Sequence, residues 1–158
     1  MTFKRIALLT FIVVLMAALI AVHNATRSKA SDDAVIIHVV EHADTDVVTD
    51  TGAEGDSVGD ILTFANEVYD ENDAELVGSD NGYCVRTVVG AAWECFWTLT
   101  LADGQITVEG PFSDTGDTVL AITGGTGAYA HASGQMELKW HNAEGTAFDF
   151  IYEVHGLE

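Results

Sequence analysis

From residue 34 onward, hydrophobic positions recur mainly at every second residue, the period of a β-strand with one dry face and one wet face. In 146–154, Thr146, Phe148, Phe150, Tyr152 and Val154 share one face, while Asp149 and Glu153 share the other. In 104–112, Ile106, Val108 and Phe112 alternate with Gln105, Thr107 and Glu109. In 60–68, Leu62, Phe64, Asn66 and Val68 fall together. The pattern predicts eight strands: 34–42, 60–69, 74–78 continued by 82–89 as one long bent strand, 92–101, 104–112, 117–123, 128–140 and 146–156. Asp103-Gly104, Ser113-Asp114-Thr115-Gly116 and Asn142-Ala143-Glu144-Gly145 separate them as turns, and 43–59 reads as a polar loop. The one proline, Pro111, sits at a strand end, where a missing N–H is tolerated. No segment in this region carries helical periodicity. Many short strands without helices mean a sandwich or a barrel, and a bulky apolar inner face favours closure into a barrel.

The N-terminus follows a different rule. Lys4 and Arg5 precede an apolar run from Ile6 to Val22 that only Thr10 interrupts. A positive start followed by an apolar stretch is an export signal, and Ser28-Lys29-Ala30 offers small residues before a cut at Ser31. The same run is near the shortest length that spans a bilayer, so a retained anchor is the alternative. The expected organisation is a signal peptide or membrane anchor over 1–30 and a barrel over 31–158, extracellular or held at the cell surface. Membrane contact is expected only through the first segment.

Charge then narrows the partners. The chain has 158 residues, 25 of them acidic, and a net charge of −19. Every acid lies at or beyond Asp32, and a chain starting at Ser31 keeps only Arg86 and Lys139 as basic residues, a net charge of −23. Such a surface repels nucleic acid and anionic membranes. The acids are spread along the chain, which suits a solvated coat in high salt better than a cation site. Asp70-Glu71-Asn72-Asp73 is too short for a calcium loop. His38 and His42 lie on one strand face about 13 Å apart, too far to share an ion, so no metal is expected.

Export allows the two cysteines to oxidise. If the hairpin formed by 82–89 and 92–101 turns between Val89 and Gly90, Cys84 faces Cys95, Arg86 faces Trp93 and Gly82 faces Trp97. Three readings of the pair stay open: a cross-strand disulfide, two buried free thiols, or a reactive Cys84 thiol. A one-residue slip would break the pairing. Gly124-Gly125-Thr126-Gly127 lacks the helix and the Lys-Ser/Thr pair of a phosphate loop, so it reads as a tight strand-to-strand turn where only glycine fits, and no cofactor is implied.

Several segments resemble a known family. Gly59-Asp60 with Phe64-Ala65-Asn66-Glu67-Val68-Tyr69-Asp70, Val77-Gly78 with Gly82-Tyr83-Cys84-Val85, and Gly104 to Phe112 are similar to strands of the plant allene oxide cyclases. Ala121-Ile122-Thr123-Gly124-Gly125-Thr126-Gly127-Ala128-Tyr129, followed by Gly134-Gln135, also resembles dirigent proteins and bacterial dirigent-like barrels. The resemblance implies an all-β, eight-stranded antiparallel barrel of calycin type with a hydrophobic pocket, often in trimers. It makes Glu41 the match of a catalytic acid, Cys84 the match of a catalytic thiol if it is not in a disulfide, and Asn66 a pocket residue. Phe64, Trp93, Trp97 and Phe112 are the further pocket candidates. The plant pattern is broken at Ala43, which replaces an Asn, at Phe112, which replaces an aromatic hydroxyl, and by the lack of an early proline.

The functional expectation is a barrel that binds a hydrophobic small molecule and guides its cyclisation or stereoselective coupling, largely by shape. The alternatives are a non-catalytic carrier of such ligands and a dirigent-type auxiliary.

Overall fold

The computed structural model describes residues 33–157 and places nine strands there. They are β1 (Val35–His42), β2 (Val47–Thr49), β3 (Ile61–Asp70), β4 (Leu76–Val88), β5 (Ala92–Leu101), β6 (Gly104–Ser113), β7 (Thr118–Gly127), β8 (Ser133–Trp140) and β9 (Ala147–His155). The export or anchor segment expected over 1–30 lies outside the described residues.

The strands hydrogen-bond in the order β1-β9-β8-β7-β6-β5-β4-β3-β2, and β1 also pairs with β3. The β1–β3 ladder closes β1 and β3–β9 into an eight-stranded antiparallel barrel. Closure uses only the C-terminal half of β3, from Glu67 to Asp70. The stagger inherent in a barrel leaves the N-terminal half free. There β2 pairs with Ile61–Thr63 and shields the exposed edge.

Alternation fills the interior. Phe148, Phe150, Tyr152 and Val154 of β9 are buried, as are Ile106 and Val108 of β6 and Trp93, Cys95, Trp97 and Leu99 of β5. The β4–β5 hairpin has the expected register: Cys84 pairs with Cys95, Arg86 with Trp93 and Gly82 with Trp97. A Cβ on Gly82 would collide with the Phe96 carbonyl and the Trp97 side chain, so glycine lets Trp97 lie over this strand.

Two elements differ from the sequence pattern. The polar stretch 43–59 contains β2, whose three residues are too few to show alternation and whose valines are exposed. The glycine block belongs to β7, not to a turn, and the turn falls at 128–132, so β8 starts only at Ser133. A bulge at Thr123 and the left-handed Gly127 (φ 62°) carry β7 through its glycines.

Candidate functional site

One end of the barrel is formed by the chain ends of β1, β4, β6 and β8 and the starts of the strands that follow them. The interior there is not filled. A cavity of about 290 Å³ is lined by Phe64, Trp97, Phe112, Trp140, Phe148 and Phe150, with Leu62, Leu138 and the two cysteines completing the apolar wall. The rings pack edge-on or stacked: Trp97 on Phe150 at 5.2 Å, and Phe148 between Phe112 at 5.7 Å and Trp140 at 5.8 Å. This interlocking holds the wall rigid. Four acids complete the lining: Glu41 from β1, Asp46 from the β1–β2 loop, Asp114 from the β6–β7 turn and Glu144 from the β8–β9 turn.

Glu41 is the acid held most firmly. It is buried, and its Oε1 accepts a 2.5 Å hydrogen bond from Asn66 Nδ2. The same amide nitrogen donates to Asp46 Oδ1 at 2.8 Å. Asn66 Oδ1 accepts from the Thr45 backbone N–H at 2.9 Å and from the Thr45 hydroxyl at 2.8 Å. All four hydrogen-bonding positions of the amide are therefore used, and the β1–β2 loop is strapped to the barrel wall. Burial raises the Glu41 carboxyl to about 7, opposed by the Asn66 hydrogen bond and reinforced by Asp46 and Asp44. Asp46 is also raised, by burial against the Asn66 bond.

A second buried acid lies deeper. Asp80 of β4 is the cross-strand partner of Asn66 and Leu99. It is fully buried, and neither carboxylate oxygen has a hydrogen-bonding partner among the described residues. Burial, then Glu41 and Asp46, push its carboxyl well above the ordinary range. An unpaired charge there would be very costly, so burial favours the neutral form of Asp80. The Tyr152 phenol, equally buried, is pushed up by burial.

Of the residues expected from the sequence, Glu41, Phe64, Trp97, Phe112, Cys84 and Cys95 lie on the cavity wall. Two do not. Asn66 stands behind the wall and spends its amide on Glu41, Asp46 and Thr45. Trp93 is buried on the inner face but is not part of the cavity lining: its Nε1 donates to Asp114 at 3.0 Å and the Arg86 guanidinium stacks on its ring at 3.8 Å. Cys84 is bonded to Cys95, with Cα atoms 4.0 Å apart, so it offers no thiol to a substrate. His38 bonds to Asp149 at 2.8 Å and His42 to Asp73 at 2.7 Å, both away from the cavity.

Sequence reasoning missed Asp46, Asp114, Glu144, Trp140 and Asp80. The loop acids carry no periodic signal. Phe148 and Phe150 were legible as inward residues but not as cavity walls.

The barrel is closed and antiparallel, with an aromatic-walled cavity at one end and a buried, titratable carboxyl on its wall. The allene oxide cyclase family model matches residues 34–152, and the chain belongs to that family. Among solved structures, a pyocyanin demethylase is 27% identical, with 75% of this chain and 100% of that chain covered and a TM-score of 0.64. A pterocarpan synthase dirigent protein is 16% identical over 80% of this chain and 97% of its own, with a TM-score of 0.68. An exo-specific intermolecular Diels-Alderase is 21% identical over 78% of this chain and 97% of its own, with a TM-score of 0.62. The last two likenesses show the shared fold.

Proposed function

We propose that this barrel takes a flat, mainly apolar small molecule into its cavity and guides its cyclisation or stereoselective coupling, with Glu41 moving a proton. The observation that carries this reading is a carboxyl on an aromatic wall whose pKa of about 7 lets it both give and take a proton near neutrality. The rigid ring packing supplies orientation, which accelerates a ring closure without further chemistry from the protein. An oxidising location outside the cytosol is part of the proposal. The Cys84–Cys95 disulfide is consistent with it.

A second reading has its own support. The pyocyanin demethylase is 27% identical and wholly covered by this chain, which favours a demethylase-type reaction in the same cavity.

Two measurements test the leading reading. N-phenyl-1-naphthylamine, a neutral fluorescent probe, should bind saturably at one site per chain. A panel of cyclisable dienes and epoxides, analysed by chiral chromatography, should give an enantiomeric excess that Glu41→Gln removes while probe binding persists. Racemic product from the wild type alongside intact probe binding would make the protein a carrier. Unchanged turnover in Glu41→Gln would remove Glu41 from the chemistry.

A further inference from the structure

The cavity has a charge character that its apolar walls conceal. Six aromatic rings and four carboxyl groups line it, and no Lys, Arg or His is among the lining residues. Residues 33–157 contain two strongly basic side chains, and both are engaged elsewhere. Arg86 donates to Asp56 at 2.7 Å and to Asp114 at 2.6 Å, with its guanidinium stacked on Trp93. Lys139 pairs with Glu137 at 2.7 Å on the outer surface. Arg86 thus balances Asp114, while Glu41, Asp46 and Glu144 face the cavity without a cation of their own.

An anionic ligand entering this space would lose water, meet no counter-ion and approach like charges. A planar cation would gain twice. The faces of Trp97, Trp140 and the phenylalanines attract positive charge through their quadrupoles, and the carboxylates add a direct attraction. Resting on the reading of the cavity as a ligand pocket, we infer that it selects a planar aromatic cation and rejects carboxylate-bearing lipids and aromatic acids. Glu144 is a specificity-determining residue in this assignment, since it is exposed on a turn and bears on the cavity without supporting the fold.

The test compares three probes on one skeleton at about pH 8, where acridine is neutral: N-methylacridinium, acridine and acridine-9-carboxylate. Binding is followed by tryptophan quenching and by displacement of N-phenyl-1-naphthylamine. N-methylacridinium should bind at one site about tenfold more tightly than acridine, displace the naphthylamine, and leave acridine-9-carboxylate without saturable binding. Glu144→Gln and molar salt should each narrow the preference several-fold. Equal or tighter binding of acridine or the carboxylate would overturn the charge assignment and leave the pocket reading standing. Cation binding at many sites per chain, without displacement, would mean adsorption to the acidic surface and would also overturn it. If none of the probes binds, the naphthylamine included, the pocket reading falls and this inference falls with it.

Discussion

The Asn66 amide joins two carboxyl groups, donating from one nitrogen to Glu41 at 2.5 Å and to Asp46 at 2.8 Å. Burial disfavours the ionised form of both, and the two acids sharing one neutral donor repel each other. Glu41 therefore sits near 7 instead of in the usual carboxylate range. A raised folded-state pKa has a definite sign in stability. The protonated acid's contribution is fully present below the unfolded value and is lost as pH rises through the folded one. The wild type should lose up to about 3 kcal/mol between about pH 4.5 and pH 8 from this group. Glu41→Gln keeps an oxygen to accept from Asn66 and removes the titration. Denaturant unfolding of both proteins across that range should show the variant gaining relative stability as pH rises. A pH-independent difference would place Glu41 in an ordinary environment.

Asp80 should be visible directly as a neutral acid. Both its oxygens are buried without a partner, next to the Asn66 strand and within the field of Glu41 and Asp46. Infrared difference spectra at neutral pH should contain a protonated carboxyl stretch that Asp80→Asn abolishes. Because the substitution exchanges one neutral group for another of similar shape, stability at neutral pH should hold while alkaline stability improves. Loss of no carboxyl band in the variant would show Asp80 to be ionised.

The Cys84–Cys95 link closes a short loop within a hairpin already paired by backbone hydrogen bonds. The chain-entropy cost of a loop this short is about 3 kcal/mol. The paired Cys84→Ala, Cys95→Ala variant should lose about that much and should keep its fold, because the hairpin register rests on the whole β4–β5 ladder. Mass analysis without reductant should find the unmodified protein about 2 Da lighter than its reduced form, one hydrogen short per sulfur. Two free thiols would reopen Cys84 as a reactive group.

The barrel was legible because its evidence repeats. Phe148, Phe150, Tyr152 and Val154 state the inner face of β9 four times, and the β4–β5 register followed from one assumed turn. Glu41, Phe64, Trp97 and Phe112 could be found because strands put them on a face that the pattern or the family resemblance marks. Asp46, Asp114 and Glu144 could not. They sit on connections between strands, which alternation places at one end and the closure of β1 onto β3 gathers around one cavity. Asn66 was visible as a polar residue on a dry face, which requires a partner, but the partners belong to β1 and a loop some 20 residues away. Trp93 shows the opposite limit: it shares a strand face with Trp97, yet the pull of Asp114 and Arg86 takes it off the cavity wall.

Arg86 ties the two loops that flank the cavity. Its guanidinium reaches Asp56 in the 43–60 connection and Asp114 in the β6–β7 turn, while lying flat on Trp93. Asp56 in turn accepts from the Gly90 N–H at 2.8 Å, so the β4–β5 turn joins the same assembly. The side chain is buried, but both acids are partly exposed, which places the loss on breaking the pairs at about 2 kcal/mol rather than the larger cost of a fully buried pair. Arg86→Met keeps the apolar stem over Trp93 and removes the charge. It should lower stability by about that amount and should speed amide exchange around 55–58 and 113–116 while β6 and β9 stay protected. Arg86→Lys should restore little, since a single ammonium cannot reach both acids and stack as a plane. If the lysine variant matched the wild type in exchange and stability, the contribution would come from charge alone, and the bidentate, stacked arrangement would have no part in holding the cavity mouth.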